Sequence, residues 1–309
     1  MDRKPKLECK RPPRRASLAT VAAALAVAVA AWAGALAAGP ATSAKASTAA
    51  SAPVASPHIA STAPPAVRAR SAIVMRRSEG GEVLWAKSPS RHLAPASCAK
   101  IMTALLVLEH FSGRLDRYLR APAGVTAQQK VAIGLRPGDR ITARQALRAL
   151  IVMSANDATL TLAVGVDGSE KAFVRRMNRR AAQLGLGNTH FTNSRGQDQS
   201  GQYTCARDLA ELGRYAWLKS AVFRGLVATK TAVVTWPPSH RVRVTSHNRL
   251  LNRTWGDGIK TGSTARAGRV LVGSGTPGGV PLIVVTMRES SRDREIKDAV
   301  ALFRWGAAQ

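Results

Sequence analysis

Cysteine is scarce here, three residues in 309, and an odd number cannot all pair. Cys9 lies ahead of a long apolar segment, so any bridge would have to join Cys98 to Cys205, a geometry that spacing alone cannot test. Histidine is also sparse. His58, His92, His110, His190, His240 and His247 show no ligand spacing, and neither a metal nor a cofactor is expected. Phe, Tyr and Trp make up 5 % of the chain, and no motif of stacking aromatics accompanies the basic residues. Acidic residues number 18 against 46 Lys and Arg, a formal charge of +28. Such a surplus normally points to nucleic acid. Without a recognition motif, and with an export segment at the N-terminus, that partner is set aside.

Residues 1–15 carry Arg3, Lys4, Lys6, Lys10, Arg11, Arg14 and Arg15 against Asp2 and Glu8, only about five units of the net charge. An uncharged stretch follows from Ala16 to Ala44, with an apolar core from Leu18 to Ala38. A basic run ahead of such a segment is an export signal. Ala35-Leu-Ala37 offers a cleavage site, yet the run is also long enough to span a bilayer, so residues 1–38 read as an export signal or a membrane anchor. From Gly39 to Val67 the chain is rich in Ala, Ser, Thr and Pro without periodicity, the composition of a linker. Residues 68–309 are then one domain's worth, delivered outside the cytoplasmic membrane in either case.

Within that domain the alternation of Ser71 to Met75 and Val83 to Lys87 predicts one hairpin, and Val270 to Gly273 with Val280 to Met287 a second. Arg292 to Trp305 reads as a closing helix. The middle, from Ser97 to about Leu226, reads as mostly helical, including Glu170 to Leu184 and Thr204 to Trp217. Strands at both ends with helices between predict an α+β fold, an antiparallel sheet covered by helices with a helical lobe, and a site between the two.

Three short islands carry the chemistry. Ser97-Cys-Ala-Lys100 follows Leu93-Ala-Pro-Ala96 and leads into Ile101-Met-Thr-Ala-Leu-Leu-Val-Leu108, so Ser97 sits where a Pro-marked loop enters an apolar helix. Residues three apart share a helix face, which lets Lys100 reach the Ser97 hydroxyl. A weak alcohol nucleophile needs such a base, and a lysine serves only if its pKa falls, through burial or a second cation such as Lys260. Alone, a Ser three residues before a Lys occurs about once by chance in such a chain, commonly as a cap and a solvated lysine. Ser154-Ala-Asn156 ends an amphipathic run, Thr142 to Met153, and alone would be a helix-capping pair. Lys260-Thr-Gly262 sits in Gly256 to Thr264, a short strand in which Gly262 admits a close backbone approach; alone it could be a turn with an exposed Lys.

Order and context together fit the S-x-x-K, S-x-N and K-T-G constellation. The chain resembles the D-alanyl-D-alanine carboxypeptidases, the low-molecular-mass penicillin-binding proteins, from about Ser71 to Trp305. The likeness rests on Leu93 to Ala104, Met153 to Ala158, Leu184 to Asn193, Arg207-Asp-Leu-Ala210 and Asp257 to Gly268. Cys98 and Ala99 depart from the small hydroxylated residues common beside the nucleophile, and Thr204-Cys205 from a Ser/Thr pair.

The resemblance implies that Ser97 attacks the penultimate D-alanine carbonyl with Lys100 as base, and that Ser154 and Lys260 relay a proton to the leaving D-alanine. It further implies that Asn156 orients the substrate amide, that Lys260 and Thr261 bind its terminal carboxylate, and that the N–H groups of Ser97 and Ser263 hold the oxyanion. Implied partners are peptidoglycan stem peptides, with β-lactams as inhibitors. Anionic wall polymers would suit the basic charge, which plain solubility explains equally well. A DD-endopeptidase would use the same residues, and a catalytically idle wall-binding homologue would keep the pocket. A class A β-lactamase would need a glutamate between the second and third islands, where Glu170 and Glu211 alone occur, each in a predicted helix.

Overall fold

The computed structural model describes residues 63–128 and 130–309; the export segment expected at 1–38 and the linker as far as residue 62 lie outside them. Among the described residues no helix is long and apolar enough to cross a membrane. The strands are β1 (Ser71–Arg76), β2 (Val83–Lys87), β3 (Tyr118–Arg120), β4 (Arg140–Thr142), β5 (Thr231–Trp236), β6 (His240–Thr245), β7 (Gly256–Thr264), β8 (Gly268–Gly275) and β9 (Leu282–Glu289). The helices are α1 (Lys100–His110), α2 (Ala143–Arg148), α3 (Asn156–Asp167), α4 (Glu170–Gln183), α5 (Ala206–Lys219), α6 (Ala221–Val227) and α7 (Arg292–Ala307). The α+β expectation holds: one five-stranded sheet in the order β2-β1-β9-β8-β7, every neighbouring pair antiparallel, with helices between its two halves in sequence.

Period-two alternation divides the central strands between two cores. Ile73, Met75, Val270, Val272, Ile283, Val285 and Met287 face the helical lobe. Ala72, Val74, Leu271, Leu282 and Val284 face the other way, against Leu302 and Phe303 of α7. A sheet buried on both faces reads as a near-continuous apolar run, which is why β9 shows Leu-Ile-Val-Val without polar interruption. Two ribbons fall outside this scheme. The β3–β4 pair interrupts the segment expected to be mostly helical, and β5–β6 forms a hairpin, Thr231 to Thr245, that the sequence reading passed over.

β7 forms one edge of the sheet, paired with β8 on a single side. Its start is tied to the opposite half by Arg77, whose guanidinium contacts Asp257 at 2.6 Å, bonds Ser274 and lies over the Trp217 ring at 3.6 Å. The edge that carries Lys260 to Gly262 is thereby held in place by a buried cation in contact with a carboxylate, a hydroxyl and an aromatic face.

Where β9 meets α7, three carboxyl groups are buried together. Asp298 accepts the backbone N–H of Arg68 at 2.5 Å, whereas both oxygens of Glu289 and one of Glu295 have no partner. Burial, together with the Asp298 carboxylate, pushes Glu289 up to about 8, and burial pushes Glu295 up to about 7. The folded protein therefore keeps a proton at Glu289 that the unfolded chain releases near pH 4.5, so this group's contribution to stability is lost as pH rises from there towards 8. Glu289→Gln should gain on the wild type as pH rises from 5 to 8, the difference in Tm widening by about 2–4 °C for each kcal/mol relieved. Thermal melts of both proteins at pH 5, 6.5 and 8 check this; a constant difference would contradict it.

Candidate active site

The nucleophile segment is a tight turn that feeds a helix. Pro95 precedes a 3-10 turn, Ala96–Ala99, which runs directly into α1 at Lys100. Ala96 holds φ 48, a left-handed conformation uncommon for a residue with a side chain. The turn lies on β7: a Cβ added to Gly262 would stand 2.7 Å from the Ser97 nitrogen and 2.8 Å from the Ala96 Cβ. Glycine in the third island is thus required by the approach of the nucleophile's own backbone.

The second island ends a helix that changes pitch. Thr142 Oγ1 caps α2 by accepting the Gln145 N–H at 3.2 Å, as the amphipathic run suggested. From Ala149 to Met153 the helix then widens into a π turn, which the sequence reading took for continuous α-helix. The wide turn delivers Ser154 in the left-handed region at φ 70, so its side chain leaves the helix axis beside the start of α3. Asp157, in the first turn of α3, accepts the N–H groups of Ile133, Gly134 and Leu135 at 3.0, 2.9 and 3.0 Å. That carboxylate fixes the loop over Asn156.

Lys100 is wholly buried, and its Nζ contacts three oxygens: Asn156 Oδ1 at 2.8 Å, the Arg195 carbonyl at 2.8 Å and Ser97 Oγ at 3.1 Å. A carbonyl oxygen can only accept, so Asn156 and Arg195 take two N–H bonds. A neutral amine has two N–H groups and one lone pair. The remaining direction, towards Ser97, is then the lone pair's, and the Ser97 hydroxyl is oriented to donate into it. Burial, reinforced by the Lys260 and Arg195 charges, holds the Lys100 pKa well below the ordinary lysine range. Electrostatics favour the amine, and the geometry puts its lone pair within reach of the serine proton.

Lys260 is also buried, and its Nζ bonds the Thr261 carbonyl at 2.8 Å; burial brings its pKa down to about 8. Ser154 Oγ is buried with no partner. Thr261 is half-buried and Ser263 exposed along β7. Of the eight residues expected at the site, Ser97, Lys100 and Asn156 are in direct contact, and Gly262 lies on the Ser97 backbone. Lys260 reaches Lys100 through its charge and makes no hydrogen bond to Ser154. Sequence reasoning missed Arg195, whose carbonyl completes the lysine's surroundings; the turn cluster Asn193-Ser-Arg-Gly196 was its only signal.

Cys98 and Cys205 are both free, so the bridge considered above is absent. Cys98 Sγ donates to the Lys260 carbonyl at 3.6 Å, on the inner side of the turn, while Cys205 caps α5 by accepting the Asp208 N–H at 3.4 Å. Burial pushes both thiols up to about 12. Neither is a thiolate at working pH, and the group in contact with Lys100 is the Ser97 hydroxyl. Neither Cys98 nor Cys205 should react with an aromatic disulfide reagent in the folded protein, both doing so in denaturant; rapid native modification of Cys98 would contradict this packing.

Comparison with known proteins agrees with this geometry. The profile of the D-alanyl-D-alanine carboxypeptidase family matches residues 58–291. D-alanyl-D-alanine carboxypeptidase DacF of Bacillus subtilis is 32 % identical over 230 residues, 73 % of this chain and 59 % of the relative. The chain spans about three fifths of the length of curated relatives of this kind. Among solved structures, the Streptomyces K15 DD-transpeptidase superposes with a TM-score of 0.74 at 28 % identity, over 80 % of this chain and all of that one. Penicillin-binding protein 6B of Escherichia coli does so with 0.72 at 32 % identity, over 79 % of each chain. With a family profile over more than half its length, and relatives above 30 % identity that share its fold, the chain belongs to the D-alanyl-D-alanine carboxypeptidase family.

Proposed function

We propose that this protein is a serine-type D-alanyl-D-alanine carboxypeptidase that removes the terminal D-alanine from peptidoglycan stem peptides, acting outside the cytoplasmic membrane. The observation that carries the reading is the 3.1 Å contact between Ser97 Oγ and a buried Lys100 Nζ whose two other contacts are carbonyl oxygens. Ser97 Oγ attacks the carbonyl carbon of the penultimate D-alanine while Lys100 takes the hydroxyl proton. The oxyanion is held by the N–H groups of Ser97 and Ser263, at the junction that Gly262 keeps close. Lys260, charged, and Thr261 bind the terminal carboxylate, and Asn156 orients the substrate amide while its Oδ1 holds the base. As the amide bond breaks, the proton that Lys100 took passes by way of Ser154, whose hydroxyl is uncommitted, to the departing D-alanine nitrogen, which leaves Lys100 neutral again. Water then attacks the ester, Lys100 taking its proton and returning it to Ser97 Oγ as the acyl–oxygen bond breaks, which regenerates the hydroxyl.

The glutamates argue against a β-lactamase. Glu170 is bonded to Ser194 and paired with Arg195, and Glu211 is paired with Arg214, so each carboxylate has other partners and neither stands as a base for water at Ser97. The penicilloyl ester should accordingly persist, since the tethered leaving nitrogen of a β-lactam obstructs the approach of water.

Fluorescent penicillin should label Ser97 with a burst of one equivalent and slow release, while peptides ending in D-alanyl-D-alanine turn over. Ser97→Ala should lower D-alanine release by at least about three orders of magnitude. The rate should rise with pH as Lys100 becomes neutral and fall again near 8 as Lys260 loses its proton, a bell-shaped profile. Rapid multiple turnover of penicillin without D-alanine release would make the β-lactamase reading right. Release only from cross-linked muropeptides would favour an endopeptidase, and labelling without any turnover a wall-binding homologue.

A further inference from the structure

The loop after α4 is fastened to the nucleophile region at several points. Asn193 Oδ1 accepts the N–H groups of Arg195, Gly196 and Gln197 at 3.2, 2.8 and 3.0 Å, which folds the loop tightly. The Ser194 carbonyl accepts Thr103 Oγ1 of α1 at 2.7 Å, and the Arg195 carbonyl accepts Lys100 Nζ at 2.8 Å. A Cβ on Gly196 would collide with the Ala96 carbonyl, so the loop lies directly on the residue before the nucleophile. Glu170, the first residue of α4, anchors the other side. Its Oε1 accepts the Ser194 N–H at 3.0 Å and the Ser194 hydroxyl at 2.6 Å, and its Oε2 pairs with Arg195 Nη2 at 3.0 Å. That ion pair is largely buried, with side-chain exposures of 11 % for Arg195 and 22 % for Glu170.

We propose that Glu170 and Arg195 are positioning residues for acyl transfer: their ion pair holds the Arg195 carbonyl on Lys100, which aims the amine lone pair at Ser97, and sets the positive charge that the amine experiences. The inference rests on the reading of Lys100 as the base. Two consequences of opposite sign follow. The charged groups that face Lys100 are Lys260 on β7, Arg195 on the loop and, through Arg195, Glu170 on α4; Cys98 on the turn is un-ionised, and Asp157 on α3 is engaged by the loop at 133–135. Arg195 disfavours the ammonium form of Lys100, and Glu170 offsets part of that effect.

Glu170→Gln keeps an oxygen for Ser194 but leaves the Arg195 charge uncompensated. The rising limb of the acylation profile should move to lower pH. Arg195→Gln keeps the backbone carbonyl but removes the cation and frees the Glu170 charge, so the limb should move to higher pH. The double variant restores neutrality and should return the limb close to the wild-type position. Arg195→Lys, with charge but without the fork, should keep the limb and lower the plateau rate.

The test is the rate of acylation by fluorescent penicillin across pH 5 to 9, measured on the full chain for these variants, with thermal melts as a check on folding. Opposite shifts of roughly half a pH unit or more are expected, about threefold in rate relative to each plateau on the acid side. Limbs that stay together, or that shift in the same direction in both single variants, would overturn the proposal. Failure of the underlying reading looks different: Lys100→Arg would then acylate normally and the wild type would show no rising limb.

Discussion

Everything at this site depends on one lysine that has no exposed surface. An ammonium group moved from water into the protein interior is costly unless it is paired with an anion, and Lys100 meets three neutral oxygens and two nearby cations instead. The interior resolves this by favouring the amine. Once neutral, the group has two donors and one lone pair, and two fixed carbonyl acceptors leave the lone pair a single direction. Ordinary desolvation thus favours, in a residue usually charged in water, a neutral amine beside a serine hydroxyl.

The fold supplies the walls that this arrangement needs. A sheet with apolar residues on both faces is held between α7 and the helical lobe, so β7 is a rigid edge. The turn before α1 rests on that edge through Gly262, the π turn after α2 brings Ser154 and Asn156 to the same place, and the loop after α4 closes over Lys100. Two residues with side chains, Ala96 and Ser154, occupy the left-handed region here, and the surrounding packing holds them in it. Lys260 acts through its charge: its proximity depresses Lys100, while its own pKa near 8 still leaves it able to meet a carboxylate at neutral pH.

Much of this was legible in the sequence because the determinants are local. Alternation marked β1, β2, β8 and β9, apolar periodicity marked α1, α4, α5 and α7, and the first two islands named side chains that meet at Lys100. What escaped notice was set by tertiary contact. The π turn at Ala149–Met153 uses residues that are ordinary helix formers, so nothing in Ala-Leu-Ile-Val-Met announces it. The β5–β6 hairpin is short and half solvated, with Arg241 and Arg243 on its outer face, and three residues, Pro237 to Ser239, turn the chain between its strands. The Arg195 contact with Lys100 is made by a backbone carbonyl, which any residue would supply, and Glu170, seen only as a helix residue, meets Arg195 and Ser194 through the fold, some 24 positions away in sequence. The disposition of Cys98 and Cys205 likewise depended on packing and not on spacing.

Direct titration of the Lys100 side chain tests the central claim most plainly. In the full chain labelled with carbon-13 at the lysine ε positions, with the Lys100 signal assigned by its loss in Lys100→Arg, the chemical shift can be followed across pH. The midpoint should lie well below the ordinary lysine value of about 10.4 and coincide with the rising limb of the acylation profile. A midpoint at the ordinary lysine value would contradict the claim, since a Lys100 charged at working pH could not take the proton from Ser97.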